Sequence, residues 1–301
     1  MHPQGIEPTI SVIITAYNRK EYLRQAVDSA LNQTLSKEHY EIIVTKNFDT
    51  EYDDKWKRSG VLLIRFDGAN LCSRIVHASK YCSGEVICIL NDDDYWEPTR
   101  LDRVMRAFRK DPNVVYYHND IINIYPDCAA AYHNPVKDYE WKRVFPWHND
   151  SSVAVKKSLL IKYENWLLQA LMSFDMFCYY MARVSGGEMV FDDVCSTYYR
   201  VPQEPRDRGD VDRCARNAIM KFLVSSKDKQ ALRHFNLYVL GRQKYWDWVS
   251  DLNKGKRPKI RSFLGYTYYC IRLRPPFSGR RWLLMALGLL RPQLAKHFFE
   301  K

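Results

Sequence analysis

Residues 84–98 read GEVICILNDDDYWEP, and in them four apolar residues, Ile87 to Leu90, run directly into Asn91, Asp92, Asp93 and Asp94. Adjacent carboxylates repel one another, and burying them is costly unless something positive sits among them. The cluster is therefore either a solvated loop tip or a place made for a cation. Neighbouring carboxylates are hard oxygen ligands, suited to Mg2+ or Mn2+ rather than zinc, and such ions typically bridge protein carboxylates to nucleotide phosphates. An acidic run by itself more often marks a solvated turn. Its position at the end of an apolar strand is what favours the cation.

The elements that must position this cluster alternate over the first 120 residues. TISVIIT (9–15), YEIIVT (40–45), VLLIRF (61–66), VICIL (86–90) and VVYYH (114–118) are short apolar, β-branched runs of the kind buried in a parallel sheet. Asn18 opens a helix, with Glu21 in capping-box position and Leu23, Ala26, Val27 and Ala30 on one face. Leu101, Val104, Met105 and Phe108 repeat that spacing after Pro98, and Asp111-Pro112 ends the helix. Strand and helix in alternation predict a mostly parallel, Rossmann-like α/β sheet flanked by helices. Such a sheet binds ligands outside the carboxyl ends of its strands. The residues expected to converge are Thr15, Ala16, Tyr17, Asn18 and Arg19, then Lys46 and Asn47, Asp67, and Asn91 to Asp94.

Between 121 and 215 the pattern is mixed. SVAVKKSLL reads as a strand leading into a helix, and FDMFCYYMARVSGG as a helix with Asp175 in its first turn and Gly186-Gly187 as its stop. VPQEPRDRGDVDR (201–213) reads as a loop or flap. Residues 216–301 read as helical and basic. The chain of 301 residues carries a net charge of +11, and from Leu252 onward twelve Lys/Arg face a single acid, Glu300. This points to an anionic surface as partner. None of the eight cysteines forms a C-x-x-C pair, so they read mostly as buried free thiols of a reducing compartment. MHPQGIEP lacks the apolar segment of a signal peptide, and no run approaches the roughly 20 apolar residues of a membrane span. The expected location is cytoplasmic, or peripheral on the cytoplasmic face of a membrane.

The segments ISVIITAYNRKEYLRQAVDSALNQT, EIIV and NDDDYWEPTRL, in that order over residues 9 to 112, resemble family 2 glycosyltransferases of the GT-A fold. The resemblance implies an inverting, Mn2+- or Mg2+-dependent transfer of a hexose from a UDP- or GDP-linked sugar to a glycan or polyisoprenoid-linked glycan. It divides the chain into a nucleotide-sugar-binding half (1–120), an acceptor-binding half (121–215) and a helical basic extension (216–301). It sets Thr15, Ala16, Tyr17 and Arg19 against the base and ribose, Asp92 and Asp93 at the ribose and metal, and Arg74 either facing a diphosphate or on the surface. Asp94 becomes a flanking acid, either a partner of the others or solvated. Two departures stand out. The family's Asp-Asp-Gly-Ser after the second strand is replaced by Lys46-Asn47, although Asn47 still offers a base edge an acceptor and a donor. The first acid of the DXD motif is replaced by Asn91.

The reaction needs a general base for the acceptor hydroxyl. The resemblance assigns it to Asp175, followed at eight residues by Arg183, with Asp150 as the rival; the alternative is that Asp175 only caps its helix. His148 beside Asp150 reads as an acceptor-site or surface residue. Arg200 in STYYRVP is placed to meet the diphosphate when the following loop closes. GRRWLLMALGLLRPQLAKHFFEK is too short to span a bilayer, yet suits a helix lying in its interface. The competing reading of residues 252–301 is a helix pair packed on the catalytic domain or on a second subunit. A binding protein that has lost turnover is the alternative function, and no recognised module supports nucleic-acid binding.

Overall fold

Four parallel strands across one half of a nine-stranded sheet, Leu62–Arg65, Tyr40–Lys46, Ile10–Thr15 and Val86–Asn91 in spatial order, carry the cluster. The computed structural model describes residues 10–126, 128–132, 149–202, 209–254, 256–273 and 278–290. Strand β1 (Ile10–Thr15) is buried along its whole length and leads to helix α1 (Leu23–Leu31), whose Leu23, Ala26, Val27 and Ala30 face the core. Then follow β2 (Tyr40–Lys46), the short α2 (Asp53–Arg58), β3 (Leu62–Arg65), α3 (Leu71–Ser79) and β4 (Val86–Asn91). Removing one buried aliphatic side chain from water stabilises the fold by about 1.5–3 kcal/mol. The fully buried Val12, Ile14, Val44 and Leu90 therefore anchor the strands firmly from below.

Strand β1 is the switch point of this half, with β2 on one side and β4 on the other. In register, Thr15 stands opposite both Thr45 and Asn91. The crevice at the carboxyl ends of the strands therefore opens between Thr15 and the acidic run.

Beyond β4 the chain forms β5 (Tyr95–Trp96), α4 (Arg100–Lys110), β6 (Val114–Ile124) and β7 (Ala129–Tyr132). It resumes with β8 (Val153–Lys156), α5 (Lys157–Lys162), α6 (Glu164–Ala170), α7 (Phe174–Ser185), β9 (Glu188–Arg200) and α8 (Gly209–Ser226). Here the sheet is mixed. Strand β8 pairs antiparallel with β4 and β6, β6 and β9 run parallel, and β5 pairs antiparallel with β9. The mostly parallel sheet expected from strand–helix alternation is present: β1 to β4 are parallel throughout and β6 runs parallel with β9, while β5, β7 and β8 pair antiparallel.

Two local expectations are corrected. Helix α1 begins at Leu23, not Asn18, and its cap residue Tyr22 makes no side-chain capping bond. Asn18 instead has φ of 56° and reverses the chain after β1. Residues 209–213, expected in a loop, form the first turns of α8; 203–208 lie outside the described residues, as does His148. Gly186 ends α7 in the left-handed conformation, as its sequence predicts.

The described residues divide into two compact units, one ending with Ser226 and the other beginning at Lys227. The second unit contains α9 (Lys229–Asn253), α10 (Ile260–Leu273) and α11 (Ser278–Leu290). Close packing here depends on glycine: a Cβ on Gly241 would fall 2.1 Å from the Tyr269 ring, and one on Gly288 would fall 2.2 Å from Trp248. None of the eight cysteines is in a disulfide, and only Cys72, Cys82, Cys88 and Cys178 are buried; Cys128 and Cys214 are exposed.

Candidate active site

The positive group beside the first two carboxylates, Asp92 and Asp93, is Arg19. From the turn after β1 it donates through Nε (3.1 Å) and Nη2 to the two oxygens of Asp92, and its Nη1 lies 2.7 Å from Asp93. Burial works against the guanidinium's charge, but the bonds to Asp92 and then Asp93 outweigh it and hold the proton more tightly than usual. Asp92 is 5% exposed, and burial pushes its carboxyl up against the opposing pull of Arg19. Asp94 is not solvated. It is 1% exposed, and it accepts from Ser151 Oγ at 2.5 Å, from Arg200 N at 3.0 Å and from Asn149 Nδ2 at 3.4 Å. Burial and the neighbouring Asp93 raise its pKa to about 7.

Arg200, at the end of β9, meets the same cluster. Its Nε donates to the Asp93 carbonyl at 3.1 Å, its Nη2 donates to Gln25 at 2.9 Å, and its guanidinium lies 3.8 Å from the Tyr22 ring centre. Strands β1, β4 and β9 thus bring Arg19, Asp93 and Arg200 together from positions far apart in the chain.

A second polar line runs from this cluster to α7. Thr15 Oγ1 donates to Asn91 Oδ1 at 3.3 Å, Asn91 Nδ2 donates to Asp150 Oδ2 at 3.4 Å, and Asp175 N donates to Asp150 Oδ1 at 3.0 Å. Burial, then the charge of Asp175, pushes the Asp150 carboxyl well above the usual range. Asp150 therefore fixes the start of α7 relative to β4, and Asp175, in the first turn of α7, is half-buried. Arg183 lies about 12 Å further along the helix axis, where its Nη1 donates to the Tyr179 hydroxyl at 3.4 Å.

This line gives a physical reason for Asn91. An amide accepts from Thr15 and donates to Asp150, whereas a carboxylate there would confront Asp150 with a like charge. Asn91→Asp is expected to destabilise the fold by about 1–3 kcal/mol. The new carboxyl would have a raised folded pKa, so the native state would hold the extra proton and the deficit would grow as pH rises. Urea midpoints for parent and variant at about pH 5 and about pH 8 check the sign.

The other nominated residues are placed as follows. Ala16 is buried and its N–H donates to Thr45 O at 2.9 Å, extending the ladder of β1 with β2. Asn47 pairs with Asn18, accepting from its N–H (3.0 Å) and donating to its side-chain oxygen (2.7 Å), so it shapes the turn that carries Tyr17 and Arg19. Lys46 leaves the crevice: it is buried and donates to Asp53 and to the Phe48 carbonyl, both at 2.6 Å. Arg74 is buried rather than on the surface, donates to the Gly68 and Ala69 carbonyls at 3.0 and 2.6 Å, and stacks 5.1 Å from the Tyr17 ring. Burial lowers its pKa. Asp67 is exposed. Asn149, Ser151, Gln25 and Tyr22 complete the site, and spacing alone nominated none of them.

Among the described residues no group of three or more His, Cys, Asp or Glu side chains could hold a metal by itself. Both oxygens of Asp92 are taken by Arg19, so Asp93 is the acid best placed to hold a divalent ion. A single carboxylate with substrate phosphates and water is an ordinary donor set for Mg2+.

Residues 11–146 match the family model described as Glycosyl transferase family 2. Over 122 residues the chain is 31% identical to the UDP-Glc:alpha-D-GlcNAc-diphosphoundecaprenol beta-1,3-glucosyltransferase WfaP of Escherichia coli, covering 36% of this chain and 45% of that protein. Over 138 residues it is 29% identical to the chondroitin synthase of Pasteurella multocida, covering 44% of this chain and 14% of that protein. The chain thus spans less than half the length of either relative. The S. aureus TarS 1-349 structure in complex with UDP superposes with a TM-score of 0.60 at 14% identity, covering 97% of this chain and 91% of that one. The complex with UDP-GlcNAc gives 0.53 at 13% identity, covering 92% and 90%. Residues 11–146, beginning in β1, thus carry a glycosyl transferase family 2 domain, and the fold is of the GT-A type.

Proposed function

We propose that this chain is an inverting glycosyltransferase that moves a hexose from a nucleoside-diphosphate sugar to a glycan or polyisoprenoid-linked glycan on the cytoplasmic side of a membrane. The observation that carries the reading is the polar line tying the acidic run at the end of β4, through Asn91 and Asp150, to Asp175 at the start of α7. One end suits a diphosphate and the other suits an acceptor hydroxyl. The names of the relatives support the donor class: WfaP is a UDP-Glc transferase acting on a diphosphoundecaprenol acceptor, and TarS structures carry UDP and UDP-GlcNAc.

In this mechanism Asp175 accepts the proton of the acceptor hydroxyl as the oxygen attacks the anomeric carbon from the face opposite the diphosphate. Arg200 and Arg19 face the departing group, where fixed positive charge stabilises the transition state more than the ground state. Asp93 would hold Mn2+ or Mg2+, which when bound supplies further positive charge against the diphosphate. Asp94, Ser151 and Asn149 keep Arg200 and the end of β4 in place.

Thermal shift with UDP- and GDP-sugars, each with and without Mn2+, tests the donor class. Ligand at a hundredfold its Kd stabilises the folded state by about 2.7 kcal/mol. Stabilisation by one nucleotide series, with transfer or slow hydrolysis of that sugar, is the expected result. Tight donor binding with no turnover on any acceptor would instead assign the chain to the binding-protein reading, which Asn91 and the Arg19-occupied carboxylates otherwise support.

A further inference from the structure

Helix α10 has two apolar sides, and among the described residues only one of them is buried. Ser262, Tyr266 and Tyr269 are buried, with Tyr269 against Gly241 of α9. On the opposite side Ile260, Leu264, Tyr268 and Ile271 are 64%, 58%, 48% and 69% exposed. At 100° per residue these four fall within an arc of about 80°, with Arg261 and Arg272 along one edge. Helix α11 flanks the other edge: Trp282 Nε1 donates to Thr267 Oγ1 at 2.9 Å, and Arg257 donates to the Leu289 carbonyl at 3.3 and 3.1 Å. There Leu283 and Leu290 are also exposed, at 64% and 79%.

We infer that this α10–α11 face seats on an anionic lipid surface, with the apolar stripe at the acyl boundary and the arginines at the headgroups. Charge selects the occupant. From Leu252 to Phe299 the chain contains no acid, and Lys254, Lys256, Arg257, Lys259, Arg261 and Arg272 all lie in or just before α10. A two-fold contact with a second copy would set one basic face against another. Single-stranded nucleic acid would be drawn by the same charge, but it is held by aromatic stacking, and five of the six exposed side chains are aliphatic. Exposed aliphatic residues bordered by arginines match an interfacial helix. No described helix is long and apolar enough to cross the membrane, so the contact is one of lying on the surface. The inference stands apart from the donor chemistry, because none of these residues belongs to the acidic site.

The test is flotation of the full chain with phosphatidylcholine vesicles and with phosphatidylcholine–phosphatidylglycerol vesicles, at low and high salt. The parent is expected to float with the anionic vesicles and to be released by salt. Leu264→Gln with Ile271→Gln is expected to weaken partitioning about tenfold or more. Arg261→Gln with Arg272→Gln is expected to weaken it roughly fivefold per arginine removed. Both pairs alter exposed positions, and circular dichroism melting confirms that the fold persists. Donor thermal shift is expected to stay at the parent value in both, which separates a failure here from a failure of the transferase reading. The inference is overturned if the parent ignores anionic vesicles, or if both double variants float as it does. It is equally overturned if the apolar pair turns an oligomer into a monomer without changing lipid partitioning, which would assign the face to a second copy.

Discussion

Replacing Asp175 with Asn is expected to lower kcat by about a hundredfold to ten-thousandfold, the usual contribution of a positioned general base. The substitution separates two roles that the residue can play. As a helix-terminal group, Asp175 accepts from Met176 N at 2.6 Å, and its own N–H donates to Asp150. An Asn side chain keeps an oxygen for the first bond and leaves the second untouched, and it gives up only the first-turn charge, worth about 0.3–1 kcal/mol against the helix dipole. Stability and donor affinity should therefore hold while proton transfer fails. Steady-state kinetics with donor and acceptor varied separately would read this as a fall in kcat and kcat/KM with little change in the donor KM. Unchanged turnover in Asp175→Asn would reduce Asp175 to a helix cap. Asp150 is a poor substitute, because both of its oxygens already accept from Asn91 and from the α7 backbone.

Local signals in the sequence reached the half of the fold where structure is local. Runs such as TISVIIT and VICIL become β1 and β4 because each is buried along nearly its whole length, so apolar continuity alone identifies it. The faces of α1 and α4 were legible for the same reason: Leu23, Ala26, Val27 and Ala30, then Leu101, Val104, Met105 and Phe108, are the apolar residues that bury, joined in α4 by Arg100. Strand direction was not legible. Strand β8 pairs antiparallel with β4 across more than sixty residues of chain, and no local periodicity encodes that choice. Asn18 shows how a correct pattern can mislead: Asn18 and Glu21 have capping-box spacing, but Asn47, brought alongside by β2, offers a competing partner and holds Asn18 in a turn.

The candidate site shows the same division. The position of the acidic run followed from strand topology, and the need for a positive partner followed from the cost of burying like charges. That the partner is Arg19, 73 residues earlier, and that Asp94 depends on Ser151, 57 residues later, are facts of tertiary pairing. The charge argument already held a usable signal: an unexplained buried acid cluster calls for a cation, and Arg19 was the arginine nearest the carboxyl end of the neighbouring strand.

That pairing makes the Arg19–Asp92–Asp93 trio the place where stability and catalysis can be pulled apart. Asp93→Asn removes a charge whose side chain is 13% exposed, while Arg19 keeps both of its bonds to Asp92. Little loss of stability is expected. If Asp93 holds the divalent ion, kcat/KM should fall about a hundredfold or more, because the charge developing on the diphosphate loses several kcal/mol of stabilisation. Thermal stabilisation by donor should also stop depending on Mn2+. Arg19→Gln should do the reverse in the urea melt. It leaves Asp92 buried without its cation, a change worth about 3–5 kcal/mol for a wholly buried pair. About 2 kcal/mol is expected here, since the guanidinium is 32% exposed and partly screened. A kcat/KM for Asp93→Asn within about threefold of the parent at saturating Mn2+ would remove Asp93 as the ligand. An Arg19→Gln protein as stable as the parent would show that Asp92 finds its compensation elsewhere. If both expectations hold, Arg19 is the group that lets this strand end keep Asp92 and Asp93 folded together, and Asp93 is the acid left for the reaction.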